Sequence, residues 1–424
     1  MEPDFSKLCE FIAAHENDSP DALLLGRDKW PEIDMGIVVN TLRGRGRLSK
    51  KVPDWSRNSS LIYPTDLCTQ QCSSWETARF KAGIAKSLLR GKSASEASIA
   101  DLTGGLGVDT FAFASDFGAV LYNEADKALV SAAAWNFPLL GANNIEISNR
   151  LVEKGNLQEI LGRFKPDIIY LDPARRAMDG RKVFLLEDCR PDILLLKDEL
   201  LAASPAVIVK LSPMADISKV CEQLGEEVSQ VCTVASGGEC KELLLVLEAG
   251  HSGQPSLCLY EDGTIIRFPS CKDAVTMILP GNPAAFESCT GALLFEPGKA
   301  LLKAGLFNTP CLQGYTKLGK STHLYICNGE RNLPGKYFKI KEIRPFSSKD
   351  IKALAKEEPA TEVSTHNIPM KAEDLKRRIK ASSSQSEHLF ACKVDFSEGD
   401  PARDYLIFAS REAAPKQSSL KLTR

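Results

Sequence analysis

Between Ile99 and Glu248, short apolar runs alternate with amphipathic stretches, and the series closes on two runs separated by only a tight turn. Successive strand and helix units of this kind build a parallel sheet with helices on its faces. The spacing predicts strands at Ile99 to Leu102, Ala119 to Asn123, Ile145 to Ser148, Asp167 to Leu171 and Ala206 to Leu211. Helices are expected at Thr110 to Ala114, Lys127 to Leu140, Asp192 to Ala202 and Asp216 to Leu224. Val228 to Ala235 and Lys241 to Glu248 are joined through Ser236-Gly237-Gly238-Glu239. They must pair antiparallel, because a parallel pair needs a crossover of about a dozen residues or more.

The flanking regions read differently. Residues 1–72 carry apolar residues at helical spacing (Leu8, Phe11, Ile12; Ile37, Val38, Leu42) and suggest a small helical domain with a linker. Its basic stretch, Arg43, Arg45, Arg47, Lys50 and Lys51, is interrupted by Gly44 and Gly46 and reads as a loop or helix end, solvated or contacting nucleic acid. Ser74 is placed to cap a helix with a small apolar face of Ala78, Ala82, Ala85 and Leu88, which opens a core domain at 73–250. An α+β domain is expected at 251–338, beginning with a hairpin from Ser256 to Phe268 that turns at Glu261-Asp262-Gly263. A further domain at 339–413 shows strands at Phe338 to Ile343, His388 to Val394 and Asp404 to Ala409, and helices at Lys349 to Lys356 and Lys371 to Lys380. Residues 414–424 form a polar tail, expected to be disordered.

A net charge of -2 supplies no global attraction to nucleic acid, so a polyanion must be held by a local patch. The thirteen cysteines are scattered, the tightest pair being Cys68 and Cys72, and the chain has only five histidines. They are expected to be reduced cytosolic thiols, with no structural metal. No apolar run approaches the roughly 20 residues of a membrane span, so a cytoplasmic protein is expected.

The strongest chemical signal is Asp101-Leu102-Thr103-Gly104-Gly105-Leu106-Gly107-Val108-Asp109, between a predicted strand and a predicted helix. Glycines let the backbone turn sharply and lie against a ligand. A dinucleotide enzyme would place a pyrophosphate on such a helix N-terminus. Here Thr110 replaces the third glycine of that fingerprint, and Asp109 at the helix start, with Asp101 behind it, would repel a phosphate. A ligand carrying an ammonium and a sulfonium suits these charges better.

Further candidates follow strand by strand. Glu124, after the second strand, is placed to accept hydrogen bonds from ribose hydroxyls, and Asn156 could read an adenine amino group. The fourth strand ends in Asp172-Pro173-Ala174-Arg175-Arg176. Proline there brings no N–H, so the turn exposes acceptors, the Pro173 carbonyl and the Asp172 carboxylate, suited to an exocyclic amine. Arg175 and Arg176 could clamp a phosphate or simply face solvent. Lys210, on the fifth strand, and Ser212, just after it, should border the same pocket, with Lys210 alternatively an ion-pair partner.

In this order the residues resemble the class I S-adenosylmethionine-dependent methyltransferases over about 73–250. The resemblance implies a Rossmann-like α/β sheet of seven strands with an antiparallel terminal hairpin. It also implies S-adenosylmethionine as cofactor, held by Asp101, Thr103, Gly104, Gly105, Gly107, Asp109, Glu124 and Asn156. The run Thr103 to Gly107 with Asp109 and Phe111 is similar to the ribosomal RNA guanine-N2 methyltransferases and the cap trimethylguanosine synthases, which act on an exocyclic amine. Their fourth motif is usually Asp-Pro-Pro with an aromatic residue, where this chain has Ala174 and Arg175. Uracil-C5 methyltransferases share an Asp-Pro-Ala-Arg run but need a cysteine that Lys210 to Met214 lacks. The C-terminal part resembles the THUMP-like module, preceded by a ferredoxin-like piece, of a bacterial methyltransferase family.

The expected function is methyl transfer to an exocyclic nitrogen of an RNA base, with Asp172 and Pro173 positioning the acceptor and Arg175, Arg176, Lys210 and Ser212 on the substrate side. Lys371, Lys376, Arg377, Arg378 and Lys380 on one predicted helix offer a basic face or a solvated one. Two alternatives remain: a methyltransferase for a small molecule or protein, and a non-catalytic RNA-binding protein with a degenerate fold. The acceptor and the oligomeric state are not legible.

Overall fold

The computed structural model describes residues 4–175, 186–327, 329 and 331–413. The chain divides into two compact units, Met1–Val231 with Leu243–Gln254, and Cys232–Glu242 with Pro255–Arg424.

The first unit opens with α1 (Phe5–Ala14), α2 (Pro20–Leu25), α3 (Met35–Lys51), α4 (Pro53–Arg57), α5 (Asp66–Gln71) and α6 (Trp75–Ser87). Ser74 caps α6 as its position suggested, accepting from the Thr77 N–H at 3.2 Å. The basic stretch is not a loop, because α3 runs unbroken through it. Gly44 is there for packing: a methyl group at that position would lie 2.9 Å from Thr69 and 3.0 Å from the Tyr63 ring. The cations hold neighbouring segments together. Arg43 pairs with Asp21 and Arg47 with Asp66, while Lys51 donates to the carbonyls of Thr69 and Cys72 at 3.3 and 3.2 Å.

The parallel sheet follows, in β1 (Ser98–Asp101), α7 (Val108–Ala114), β2 (Ala119–Asn123), α8 (Lys127–Leu139), β3 (Ile145–Ser148), α9 (Leu157–Leu161) and β4 (Ile168–Leu171). A two-residue ribbon, β5 (Ala174–Arg175) with β6 (Cys189–Arg190), precedes α10 (Ile193–Ala203), β7 (Ala206–Leu211) and α11 (Ile217–Leu224). The hairpin is β8 (Val228–Ser236) and β9 (Glu239–Glu248). The order is β3-β2-β1-β4-β7-β9-β8, parallel from β3 to β7 and antiparallel between β7 and β9. These seven strands have the expected order, and the same sheet continues past β8 by two further strands, making nine where seven were expected. Every residue of β4 is buried, as a sheet covered on both faces requires. The N-terminal helices share this unit's core: Phe5, Leu8, Ile12, Val38 and Ile62 cluster with Ala132 of α8. Buried Asn136 of α8 holds the Ile62 backbone twice, accepting from its N–H at 3.0 Å and donating to its carbonyl at 2.9 Å.

In the second unit β10 (Ser256–Glu261) and β11 (Thr264–Phe268) form the expected hairpin, with Asp262 and Gly263 both at positive φ. Then come α12 (Pro283–Glu287), β12 (Leu293–Pro297), α13 (Lys299–Ala304), β13 (Thr316–Lys317), β14 (Tyr325–Cys327), β15 (Gly335–Pro345), α14 (Ser348–Glu357), β16 (Glu362–His366), α15 (Ala372–Arg378), β17 (Glu387–Val394) and β18 (Arg403–Arg411). The strands make one seven-stranded sheet, β13-β14-β12-β15-β18-β17-β16, in which only β16 and β17 run parallel among the pairs with a described register. The basic face expected from Lys371 to Lys380 is shortened and partly paired: Lys371 and Lys380 lie outside α15, and Lys376 pairs with Glu362 at 3.3 Å, Arg377 with Asp374 at 2.6 Å, and Lys380 with Glu358 at 2.7 Å.

Gly44 and Gly46 of α3 should respond oppositely. Nothing lies within 4 Å of a methyl group at Gly46, so Gly46→Ala should gain about 0.5–1 kcal/mol of helix propensity. Gly44→Leu should lose about 1–3 kcal/mol by overpacking against Tyr63. Urea denaturation followed by circular dichroism reads both changes.

Candidate functional site

Three glycines shape the turn between β1 and α7, each for a different reason. A methyl group at Gly104 would sit 2.1 Å from the Tyr122 ring. Gly105 has φ +54° in open space, and Gly107 has φ +90° and would meet Phe137 at 2.6 Å. The turn is tied to β2 as well: the Gly104 N–H donates to the Asn123 carbonyl at 2.8 Å, and the Tyr122 hydroxyl to the Gly105 carbonyl at 2.6 Å. The glycines are thus required by internal packing before any ligand is considered.

Asp101 lies beneath this turn, 1% exposed. Its carboxyl group accepts from the Thr103 N–H at 3.1 Å and meets the Thr110 hydroxyl at 2.6 Å. Burial, with a smaller push from the Asp109 and Asp172 charges, raises it to about 8. Asp101 therefore braces the loop as a largely neutral acid near pH 7, and does not add the negative charge its sequence position suggested.

Asp109 is compensated too. The Lys81 ammonium, fully buried on α6, sits 2.9 Å from one of its oxygens. The other oxygen accepts from Ser73 and from the Tyr170 hydroxyl, both at 2.9 Å. Lys81 also donates to Ser73 at 2.6 Å. Despite its burial, the Asp109 carboxyl is held below the usual carboxylate range by Lys81, with Lys210 adding to the effect. The repulsion of diphosphates expected from Asp101 and Asp109 is thus weakened twice, Asp101 being neutralised by burial and the Asp109 charge offset by Lys81.

At the end of β4, the Asp172 N–H donates to the Thr103 hydroxyl at 2.6 Å. The Asp172 carboxylate pairs with Lys210 of β7, which is the ion-pair alternative for that lysine. Burial pushes the Asp172 carboxyl up and Lys210 pulls it back. Glu124 accepts from the Gly105 N–H and the Asp126 N–H, both at 2.9 Å.

These groups converge on a cleft of about 940 Å³ lined by Thr103 to Asp109, Glu124, Asp172 and Arg190, with a wall from Thr65 to Ser73. It lies outside the carboxyl ends of β1, β2 and β4, where the strand order reverses and open α/β sheets hold ligands. Asp101, Asn156, Pro173, Lys210 and Ser212 are not among the lining residues. The Asn156 side chain closes its own turn, donating to the Leu151 carbonyl at 2.7 Å and accepting from the Glu153 N–H at 3.0 Å. Ser212 accepts from the Met214 N–H at 3.2 Å. Arg175 is described only as backbone of β5, and Arg176 lies outside the described residues.

Sequence reading missed Ser73, Tyr170 and Lys81. Lys81 carried a signal: it falls on the apolar face of its helix, three residues after Ala78 and four before Ala85, where an ammonium needs a buried partner.

Residues 335–407 match the family model for a THUMP domain-like domain, and residues 293–334 that for a ferredoxin-like domain. These bounds compare with 339–413 and 251–338 read from the sequence. A solved protein of Porphyromonas gingivalis W83, itself a proposed methyltransferase, is 28% identical, covering 97% of this chain and 99% of its own at a TM-score of 0.82. The chain therefore has the methyltransferase fold, with a THUMP-like domain in its C-terminal part. An rRNA methylase of Streptococcus thermophilus matches 39% of this methyltransferase-fold chain and 94% of its own, at 16% identity and TM-score 0.29. A proposed methyltransferase of Streptococcus mutans, solved with SAH, matches 39% and 96% at 9% identity and TM-score 0.28. No curated protein matches the chain.

Two outcomes test the charges beneath the cleft. Because Asp101 is raised when folded, its contribution to stability is full below the unfolded value near 4 and is lost as pH rises through about 8. Asp101→Asn should remove that one-proton slope, about 1.4 kcal/mol per pH unit, so wild type and variant melting curves should diverge in the variant's favour from pH 5 to 8. Lys81→Met should destabilise by about 3–5 kcal/mol by leaving Asp109 unpaired, and adding Asp109→Asn should recover part of the loss in chemical denaturation.

Proposed function

We propose that this chain is an S-adenosylmethionine-dependent methyltransferase acting on an exocyclic nitrogen of an RNA base. One observation carries the reading: the carboxylates of Glu124 and Asp172 reach one cleft from the ends of β2 and β4, on either side of the glycine turn. The residues fit the cofactor. Glu124 offers acceptors to ribose hydroxyls, and Gly104 to Gly107 leave the loop backbone open to close approach. Leu151 and Leu195, 54% and 55% exposed, line the cleft with apolar surface for a purine. When bound, S-adenosylmethionine supplies an electrophilic methyl group on a sulfonium.

The chain's own residues do the positioning. Thr103, Gly104, Gly105, Gly107, Asp109 and Glu124 form the cofactor wall, braced from behind by Asp101 and, at the neighbouring turn, by Asn156. Asp172 accepts hydrogen bonds from the acceptor amine, which aims its lone pair and supplies much of the acceleration by orientation alone. Pro173 contributes its fixed φ to that turn, and Arg175 and Arg176 are substrate-side candidates by their place in the sequence alone. Free thiols at every cysteine are consistent with a cytoplasmic setting.

A second reading, transfer to a small molecule or protein, is favoured by the pairing of the basic residues. Arg43, Arg47, Lys376, Arg377 and Lys380 all face carboxylates, which weakens any phosphate-binding patch. Calorimetry and tritiated methyl transfer into total RNA from a strain lacking the gene separate these readings. Glu124→Ala should weaken S-adenosylmethionine binding by about tenfold or more, roughly 1.4 kcal/mol. Asp172→Ala should keep binding and lose transfer. Label in protein or small molecules but not in RNA favours the second reading, and a folded wild type that takes up no cofactor is a degenerate fold.

A further inference from the structure

Behind the Asp172 wall of the cleft, charged side chains from four elements gather: Lys81 on α6, Asp109 on α7, Asp172 after β4 and Lys210 on β7. Lys81 pairs with Asp109 at 2.9 Å, and Lys210 pairs with Asp172. The two pairs also act on each other. Lys210 favours the charged form of Asp109, and Lys81 that of Asp172. Asp101 on β1 stands against this group as a neutral acid near pH 7. Asp172 lines the cleft and Lys210 does not, its side chain being 13% exposed. The lysine therefore reaches the carboxyl group from behind and leaves the cleft side to a ligand.

We infer that Lys210 is a positioning residue that keeps Asp172 ionised and facing the cleft, so that the methyl acceptor is a neutral nitrogen bearing N–H hydrogens. This rests on the methyl-transfer reading above. An anionic nucleophile, a carboxylate or thiolate, would meet a carboxylate of like charge at short range in a partly desolvated wall. An amine instead donates to it. In the transfer, the nitrogen lone pair forms the N–C bond, the S–C bond breaks with its electron pair staying on sulfur, and the surplus N–H proton passes to the Asp172 carboxylate and on to water. Burial makes that carboxylate more basic than one in water, and Lys210 limits the rise. Without the lysine, Asp172 would already hold a proton over more of the neutral range and could neither accept the amine hydrogen nor take the released proton.

The test uses the full chain with Lys210→Met, Lys210→Arg and Asp172→Asn. Carbon-13 titration of aspartate carboxyls, with the Asp172 resonance assigned by its loss in Asp172→Asn, should show the midpoint rising by about one pH unit or more in Lys210→Met and returning in Lys210→Arg. An unchanged midpoint overturns the role of Lys210. If Lys210→Met does not fold, the Lys210→Gln variant takes its place in the same titration. Calorimetry with S-adenosylmethionine should give the same affinity in wild type, Lys210→Met and Lys210→Arg, and a loss confined to Lys210→Met would make the lysine a cofactor contact instead. The acid limb of the transfer profile should move up in Lys210→Met, with the rate at pH 7 falling about tenfold, and should recover in Lys210→Arg. Methyl groups recovered on oxygen or sulfur overturn the acceptor class. If no acceptor takes label while the midpoint shifts, the methyl-transfer reading fails and the hold of Lys210 on Asp172 stands.

Discussion

The turn from β1 into α7 keeps its shape because aromatic rings and a buried acid press on it from the protein side. Tyr122 fills the space above Gly104, Phe137 that beside Gly107, and Asp101 holds the Thr103 N–H from below. Everything on the cleft side inherits its position from this. Thr103 receives the Asp172 N–H, Gly105 donates to Glu124, and α7 starts where Asp109 can meet Lys81. A site assembled this way is pre-formed, which is what lets orientation contribute to catalysis.

The electrostatics of the cleft follow from what lies under it. Read along the chain, the acids at 101, 109, 124 and 172 add up to a strongly negative pocket. In three dimensions one is neutral, two are ion-paired, and Glu124 accepts backbone N–H groups. Selectivity then comes from the directions in which particular carboxyl oxygens face, more than from the summed charge.

Much of the sheet was legible because burial on both faces leaves apolar runs: β2 and β7 have the bounds their sequences suggested, and the half-exposed edge strand β3 keeps its expected bounds through an alternating Ile-Glu-Ile pattern. The terminal hairpin followed from the shortness of its connection, Ser236 to Glu239, alone. Other elements were not legible. β16 has every residue half-buried, so neither alternation nor an apolar run marks it. The glycines of α3 look like helix breakers until Tyr63, distant in sequence, is seen against Gly44. For the site, residue types and order located the loop, Glu124 and Asp172. The partners Lys81 and Ser73 were hidden because pairing across α6, α7 and β4 depends on tertiary packing, and the state of Asp101 depends on its burial.

The contact between Gly104 and Tyr122 also constrains how this protein can diverge. A side chain cannot appear at 104 while the ring at 122 occupies its space, and losing the ring first would remove both the filler and the hydroxyl that holds the Gly105 carbonyl. Change at either position therefore passes through a less stable intermediate. The two sites form a ratchet that keeps this loop geometry while the outer surface drifts.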